Sequence, residues 1–423
     1  MVRSTVARVD LAALKSNLIA IQRYVSSEAA RTPPAIIAVV KANAYGHGAP
    51  RVALALEEAG ATMLACADIE EGIALREAGV RAPILVFGAL SVSDLGGLFE
   101  FSLTPTISTP GAARAVQAAA ARRRSTLGYH LKIDTGMNRL GFRYDNLRRT
   151  LPELLGSPNL RLAAVYTHFA SADLPESPVF NAQRERFEEA WTVVRELVPR
   201  TDSPLSNPES RISNPESRIA NPESRIPNPE PRTPNPESRI PSPESRVFRH
   251  ACNSAALLRD SRAWYDAVRP GLLLYGIVPP PLASTIGLTP VMSLTSRVVA
   301  VKGLRPGEGV GYGWRYQVDE PRSVAVVPAG YADGLDTRLC GRGHALIRGR
   351  RVPIVGAVSM DMLTVDVTDL SEVRPGDEVV LLGRQGHESW QRIDAREMAA
   401  AIGTIPWEIV CRLGTRIERH YTS

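Results

Sequence analysis

The stretch AIIAVVKANAYGHGAPRVALALEEAG (residues 35–60) opens with six apolar residues that run without a break into Lys41. An uninterrupted apolar, β-branched run reads as a strand covered on both faces, as in a parallel sheet. Residues 49–60 then carry the spacing of a helix, and Tyr45, Gly46, His47 and Gly48 lie between the two. A lysine is a poor way to end a buried strand unless the strand delivers it to a place where an amine is needed.

The strand-then-helix unit recurs. TMLACA (62–67) is followed by DIEEGIALREAG, PILVFG (83–88) comes next, and LTPTIS (103–108) precedes TPGAARAVQAAAARRR. YHLKID (129–134), LAAVYTH (162–168), VFRHAC (247–252) and AVRPGLLLYG (267–276) complete the series with Ala35–Lys41 at its head. Strands alternating with helices are parallel strands joined by crossovers, and eight such units fit a TIM-type (β/α)8 barrel. The open dinucleotide-binding alternative lacks its fingerprint, since no GxGxxG follows the first strand.

Near residue 288 the texture changes. From LTPVMSLTSRVVAVKGLRPGEGVGYG onward, short β runs (SVAVVPAG, ALIRGRRVPIVGAV, LTVDV, DEVVLLG) alternate with Gly- and Pro-rich turns, interrupted by one clear helix, DAREMAAAIG. The expected organisation is therefore a barrel over residues 1–288 and a mainly β domain over 289–423.

The barrel is interrupted at about 201–247. Residues 206–247 are the heptads SNPESRI, SNPESRI, ANPESRI, PNPEPRT, PNPESRI and PSPESRV. A proline at the third position of every heptad removes a helix donor and excludes a coiled coil. At most one aliphatic residue per repeat leaves too little to bury, so the insertion is expected to be disordered and partly extended.

Net charge is +6, but the one dense basic run, Arg122–Arg124, ends an Ala-rich helix where cations suit the dipole. Nucleic-acid binding is not expected. No apolar run approaches the roughly 20 residues of a membrane span. The N-terminal segment, broken by Asp10 and Lys15, reads as a strand and helix of a cytoplasmic protein rather than a signal peptide. Cys66, Cys252, Cys340 and Cys411 are scattered without CxxC spacing, so neither a metal site nor a disulfide framework is indicated.

In a TIM barrel the chemistry lies at the C-terminal strand ends. Those ends carry Lys41, Arg139 (through KIDTGMNRLG), His168, Asn253 and Ser254 (in HACNSAA), and Arg269 with Gly271 (in VRPG). Ser254 at a helix start beside Gly271 is a phosphate seat. A lysine facing a phosphate seat suits a phosphorylated aldehyde, pyridoxal 5'-phosphate. Each residue alone has a bland reading as a snorkelling lysine, a satisfied histidine, a structural ion pair or a helix cap. Their convergence on one mouth points to a site.

With these residues in view, the chain resembles the bacterial alanine racemases. AVVKANAYGHG, LKIDTGMNRLGF, YTHFASAD, HACNSAA, VRPGLLLYG, GEGVGYG, GYADG and VGAVSMDM occur in that family's order, over essentially the whole chain except the repeats. The resemblance implies a fold type III pyridoxal-phosphate enzyme that supplies D-alanine for peptidoglycan. It implies that Lys41 holds the cofactor, that Tyr45, Asn253, Ser254, Gly271 and Leu272 belong to its phosphate site, that His168 lies beside the pyridine ring, and that Arg269 bonds the ring nitrogen. Arg139 would meet the substrate carboxylate, and Lys132 matches a lysine that is carbamylated in several members. Tyr312 would be the second base opposite Lys41. In the family it reaches the partner's site in a homodimer, as do Met360 and Asp361.

Three positions depart from the common pattern: Gly311 replaces a serine before the tyrosine, Ser359 a cysteine before Met-Asp, and Thr415 a phosphate-binding tyrosine. The alternatives are a racemase of broader specificity and a fold type III amino-acid decarboxylase. The latter usually pairs an acid, not an arginine, with the pyridine nitrogen and lacks the DTGMNRLG run.

Overall fold

The structure, a computed structural model, describes residues 4–29, 32–90, 95–198, 247–386 and 390–423. The heptad insertion, apart from Val247, lies outside the described residues.

Strand β1 (Val6–Asp10) leads directly into helix α1 (Leu11–Glu28), whose first turn is capped by the Asp10 carboxylate accepting from the Ala13 amide at 2.8 Å. The barrel follows: β2 (Ala35–Val39), β3 (Met63–Cys66), β4 (Ile84–Val86), β5 (Thr104–Ile107), β6 (Leu127–Asp134), with the short β7 (Phe142–Arg143) on its flank, then β8 (Leu160–Tyr166), β9 (Phe248–His250) and β10 (Ala267–Val268). Apart from the flanking β7, these strands pair in parallel in chain order. β10 returns to β2, and β5 pairs with β6, so the cylinder closes.

The apolar run 35–40 explains the layering. Ala35, Ile37 and Val39 pack with Met63, Ala65, Leu85, Ala164, Phe248 and Ala267 in one cluster, while Ile36, Ala38 and Val40 join the large core that includes the helices. A strand period of two sends alternate residues to the barrel interior and to the outer layer, so both faces must be apolar.

Several strand ends differ from the expectation. β2 stops at Val39, and Lys41 begins a separate turn. β8 stops at Tyr166, two residues before His168. The expected strand 267–276 pairs only at Ala267–Val268, because Pro270 cannot donate to a ladder and Leu272–Tyr275 coils into a 3-10 turn.

The turn after Lys41 is left-handed. Ala42, Asn43, Ala44 and Tyr45 have φ of 53°, 52°, 55° and 51°, and Gly46 follows at 80°. For L-residues this costs roughly 1–2 kcal/mol each, so neighbouring groups must hold it. The Gly46 amide bonds Ala42 O at 3.0 Å, the Gly48 amide bonds Asn43 O at 3.0 Å, and Arg419 Nε donates to Gly46 O at 3.1 Å. A Cβ on Gly46 would overlap the carbonyl oxygen of Val410. Gly46→Ala adds left-handed strain and this clash, and should lower the unfolding free energy in urea by at least ~2 kcal/mol. Parent-like stability would show that the turn is not locked against the Val410 segment.

The second sheet runs from Ala300–Leu304 through Arg322–Val327, Leu363–Asp366, Arg350–Val355, His344–Ile347 and Glu378–Gln385 to β11 (Met292–Arg297), then β1 and Glu418–Thr422. β1, expected within the barrel portion, is thus built into this sheet, antiparallel to β11 and parallel to the last strand. Helix Ala395–Ile402 lies where DAREMAAAIG predicted it, and a second short helix, Pro406–Cys411, carries Val410 to the Lys41 turn.

Candidate active site

The C-terminal ends of the barrel strands gather the expected cations. Lys41 is partly buried; burial is the main cause that lowers its pKa, followed by the charge of Arg139. Arg139 leaves β6 through the DTGMN turn, which the Asp134 carboxylate organises by accepting from the amides of Gly136, Met137 and Asn138 at 2.9, 3.0 and 3.1 Å. Lys132, on β6 itself, is 7% exposed, with Nζ 4.5 Å from the centre of the Tyr166 ring. Burial drives its pKa well below that of an ordinary lysine, and Arg269 and Arg139 push it the same way. A buried amine among guanidinium groups favours the neutral form.

Arg269 is the best-anchored residue of the site. At 3% exposure, its guanidinium donates to the carbonyls of Thr167 (3.0 Å) and Ala251 (2.9 Å), to Nδ1 of His250 (2.9 Å), and meets Nδ1 of His168 at 3.2 Å. Burial lowers it to about 10. His250 in turn meets Nδ1 of His130 through Nε2 at 3.0 Å and stacks on Tyr166 at 4.6 Å. Because Arg269 can only donate, Nδ1 of His250 accepts, and Nε2–H of His250 donates to His130. Burial and the arginine charge keep both histidines neutral, His130 down to about 3. His168, held by the same forces well below its usual pKa, is neutral as well.

Beyond β9, two strands round from β2, Asn253 caps helix Ser254–Arg259 by accepting from the Ala256 amide at 2.9 Å. Ser254 Oγ accepts from the amides of Gly271 at 3.0 Å and Leu273 at 3.4 Å. Leu272 opens the 3-10 turn beyond Gly271. Gly271 is required by close approach: a Cβ there would come within 2.6 Å of the Tyr45 hydroxyl. Tyr45 lies on the Tyr275 ring at 5.1 Å, and the Tyr275 hydroxyl donates to Val39 O at 3.0 Å, tying the end of β2 to the same wall. The mouth sets Lys41, Lys132, Arg139 and Arg269 against Glu71 and Asp134. Those carboxylates are engaged by backbone amides: Glu71 by Asn43 and Ala67, Asp134 by its own turn. Such an excess of positive charge suits an anionic occupant.

Among the described residues, no hydrogen bond, ion pair or ring contact joins Tyr312, Met360 or Asp361 to the residues of this mouth. Tyr312 is 78% exposed and Met360 52% exposed, on loops of the second sheet domain. Asp361 is also exposed and pairs with Arg416 at 2.6 Å. The loops are nonetheless ordered by glycine: Gly311 takes φ 70° immediately before Tyr312, and a Cβ on Gly330 would overlap the backbone of Ser359 and Met360. Thr415 is exposed.

Residues that sequence reasoning passed over include His130, His250 and Tyr166. For His130 the signal was present, since it lies two residues before Lys132 on β6 and a period of two places the pair on one face; Tyr166 ends β8 before His168, so the period does not relate those two. The contact between His250 and Arg269 carried no such signal.

A closed parallel barrel with its polar residues at one mouth, fused to a β domain, defines a barrel enzyme whose chemistry sits at the strand C-termini. Comparison with known proteins narrows the class. The family described as alanine racemase, N-terminal domain, matches residues 9–206, and its C-terminal domain counterpart matches 291–421. An alanine racemase of Carboxydothermus hydrogenoformans is 40% identical over 388 residues, covering 90% of this chain and 91% of that protein. One from Sorangium cellulosum is 38% identical, covering 99% of each. The crystal structure of alanine racemase from Bacillus anthracis with bound L-Ala-P superposes with a TM-score of 0.81 at 33% identity, covering 100% of this chain and 96% of that one. The chain belongs to the alanine racemase family.

Proposed function

We propose that the chain interconverts L- and D-alanine with pyridoxal 5'-phosphate held on Lys41, and so supplies D-alanine for peptidoglycan. The observation that carries this reading is an amine of lowered pKa that follows β2, with an anion seat at the ends of the neighbouring strands β9 and β10. The residues fit the cofactor. Ser254, the amides around Gly271 and the Tyr45 hydroxyl suit its phosphate, and the approach of Tyr45 to Gly271 leaves no room for a side chain there. Arg269 offers donors only, so it would leave a ring nitrogen unprotonated. When bound, pyridoxal phosphate supplies an electron sink that makes the substrate Cα–H acidic.

The rest falls to the chain's own groups. Arg139 orients the substrate carboxylate by a charge-assisted bond. The Lys41 amine, neutral more readily than an ordinary lysine, takes or returns a proton on one face of Cα. Tyr312 does the same on the other face. Because it stands exposed in one chain, with no contact to the residues around Lys41, it serves the site of a second copy in a homodimer, with Met360 and Asp361 beside it.

Incubation with L-alanine in heavy water tests this. D-alanine with deuterium at Cα and no carbon dioxide is expected. Released carbon dioxide would indicate a decarboxylase, and comparable turnover across an amino-acid panel a broad racemase.

Lys132 is suited to carbamylation, since a neutral amine adds carbon dioxide and releases a proton, and the resulting anion would face Arg139 and Arg269. Native mass spectrometry should show the intact protein heavier by one carbon dioxide per chain, lost on acidification. No added mass in bicarbonate-equilibrated intact protein would rule the modification out.

A further inference from the structure

The left-handed turn that follows Lys41 needs a local brace, and one buried side chain that bonds its carbonyls is one the proposed chemistry does not use. His47 is 0% exposed. Its Nδ1 lies 3.0 Å from Ala44 O and 2.9 Å from Tyr45 O. Carbonyl oxygens only accept, so Nδ1 carries the proton and donates to both. Its ring packs at a tilt of 35° against Tyr275, with centroids 4.5 Å apart; the same Tyr275 ring supports Tyr45, and its hydroxyl bonds the end of β2. Arg419 bonds the neighbouring Gly46 carbonyl from outside the turn.

We propose that His47 is a positioning residue: its neutral imidazole donates from Nδ1 to the carbonyls of Ala44 and Tyr45, holding the left-handed backbone that aims Lys41 and the Tyr45 hydroxyl at the cofactor. The inference rests on the reading of Lys41 and Tyr45 as cofactor ligands. A right-handed relaxation of Ala42–Tyr45 would turn both side chains away while leaving β2 intact. Burial, which lowers the imidazole to about 4, keeps the ring in the donor–acceptor form across the working pH range.

Two substitutions separate the ring from the donor. His47→Phe keeps an aromatic ring against Tyr275 and removes the donor, whereas His47→Asn keeps an N–H at the position of Nδ1 and removes the ring. The measurement is titration of the apo-protein with pyridoxal 5'-phosphate, followed by the visible absorbance of the lysine-bound cofactor, with the melting temperature of each apo-protein alongside. His47→Phe should raise Kd about tenfold or more, and His47→Asn should stay within a few-fold of the parent. Ala42→Gly provides the decisive arm. Glycine adopts φ near 53° without steric cost, so it should recover part of the affinity lost in His47→Phe, which rescue of a general folding defect would not do. Parent-like Kd in His47→Phe, equal loss in both His47 variants, or no recovery with Ala42→Gly overturns the inference. Failure of the parent itself to take up the cofactor overturns the functional reading as well. Should His47→Phe not accumulate as soluble protein, His47→Ala with and without Ala42→Gly carries the same test against His47→Asn.

Discussion

Neither Lys41→Ala nor Tyr312→Ala should racemise alanine alone, yet an equal mixture of the two, after subunit exchange, should regain about one quarter of the parent activity. The arithmetic follows from a two-fold dimer whose sites each take Lys41 from one subunit and Tyr312 from the other. Random exchange makes half of the dimers hybrids, and each hybrid holds one intact site and one doubly substituted site. The structural basis is the contrast between a partly buried Lys41 within the barrel mouth and a Tyr312 that is 78% exposed on the other domain. No recovery, with exchange confirmed by mass spectrometry, would mean that both groups act within one chain or that Tyr312 is not a base. Trp314, Tyr331 and Met362 of the same domain are exposed as well, the kind of side chain a monomer seldom leaves to water in numbers.

The second large effect is on stability. The folded chain should weaken steeply as pH falls from about 6.5, the pKa of an unfolded histidine. His47, His130, His168 and His250 all have folded pKa values below that, His47 at about 4 and His130 at about 3. Below 6.5 the unfolded chain binds protons that the folded chain refuses. Their contribution is therefore complete above 6.5 and is lost as pH drops towards the folded values. Each such histidine takes away about 1.4 kcal/mol per pH unit in that window, against a typical stability of roughly 5–15 kcal/mol. The urea midpoint of the apo-protein should fall continuously between pH 6.5 and 5. A midpoint flat across that interval would contradict neutral burial of these rings. The polar barrel interior is thus a liability in acid, tolerable only because Arg269, His250 and His130 satisfy one another.

Much of this was legible in residue order. The repetition of apolar run and helix over Ala35–Val268 identified the barrel, and the residues just past each run named the mouth. Lys41, Arg139, His168, Ser254 and Arg269 were singled out because strand ends carry chemistry in this architecture. Strand lengths were read too long wherever a proline or a turn intervened, as at Pro270, because apolar character continues where pairing does not. The membership of Val6–Asp10 in the second sheet was not readable at all: its partners lie at Met292–Arg297 and Glu418–Thr422, at opposite ends of the other domain.

Residue order alone accounts for which side chains reach the barrel mouth, since a period of two and a repeated strand–helix unit leave little freedom in where they project. Tertiary packing decided the rest. The left-handed turn after Lys41 contains four non-glycine residues that would not choose that conformation locally. It exists because His47, Arg419 and the Val410 carbonyl surround it. The lowered pKa of Lys132 and the directed bonds from Arg269 through His250 to His130 likewise depend on burial and proximity between distant segments, and those are properties of the folded chain.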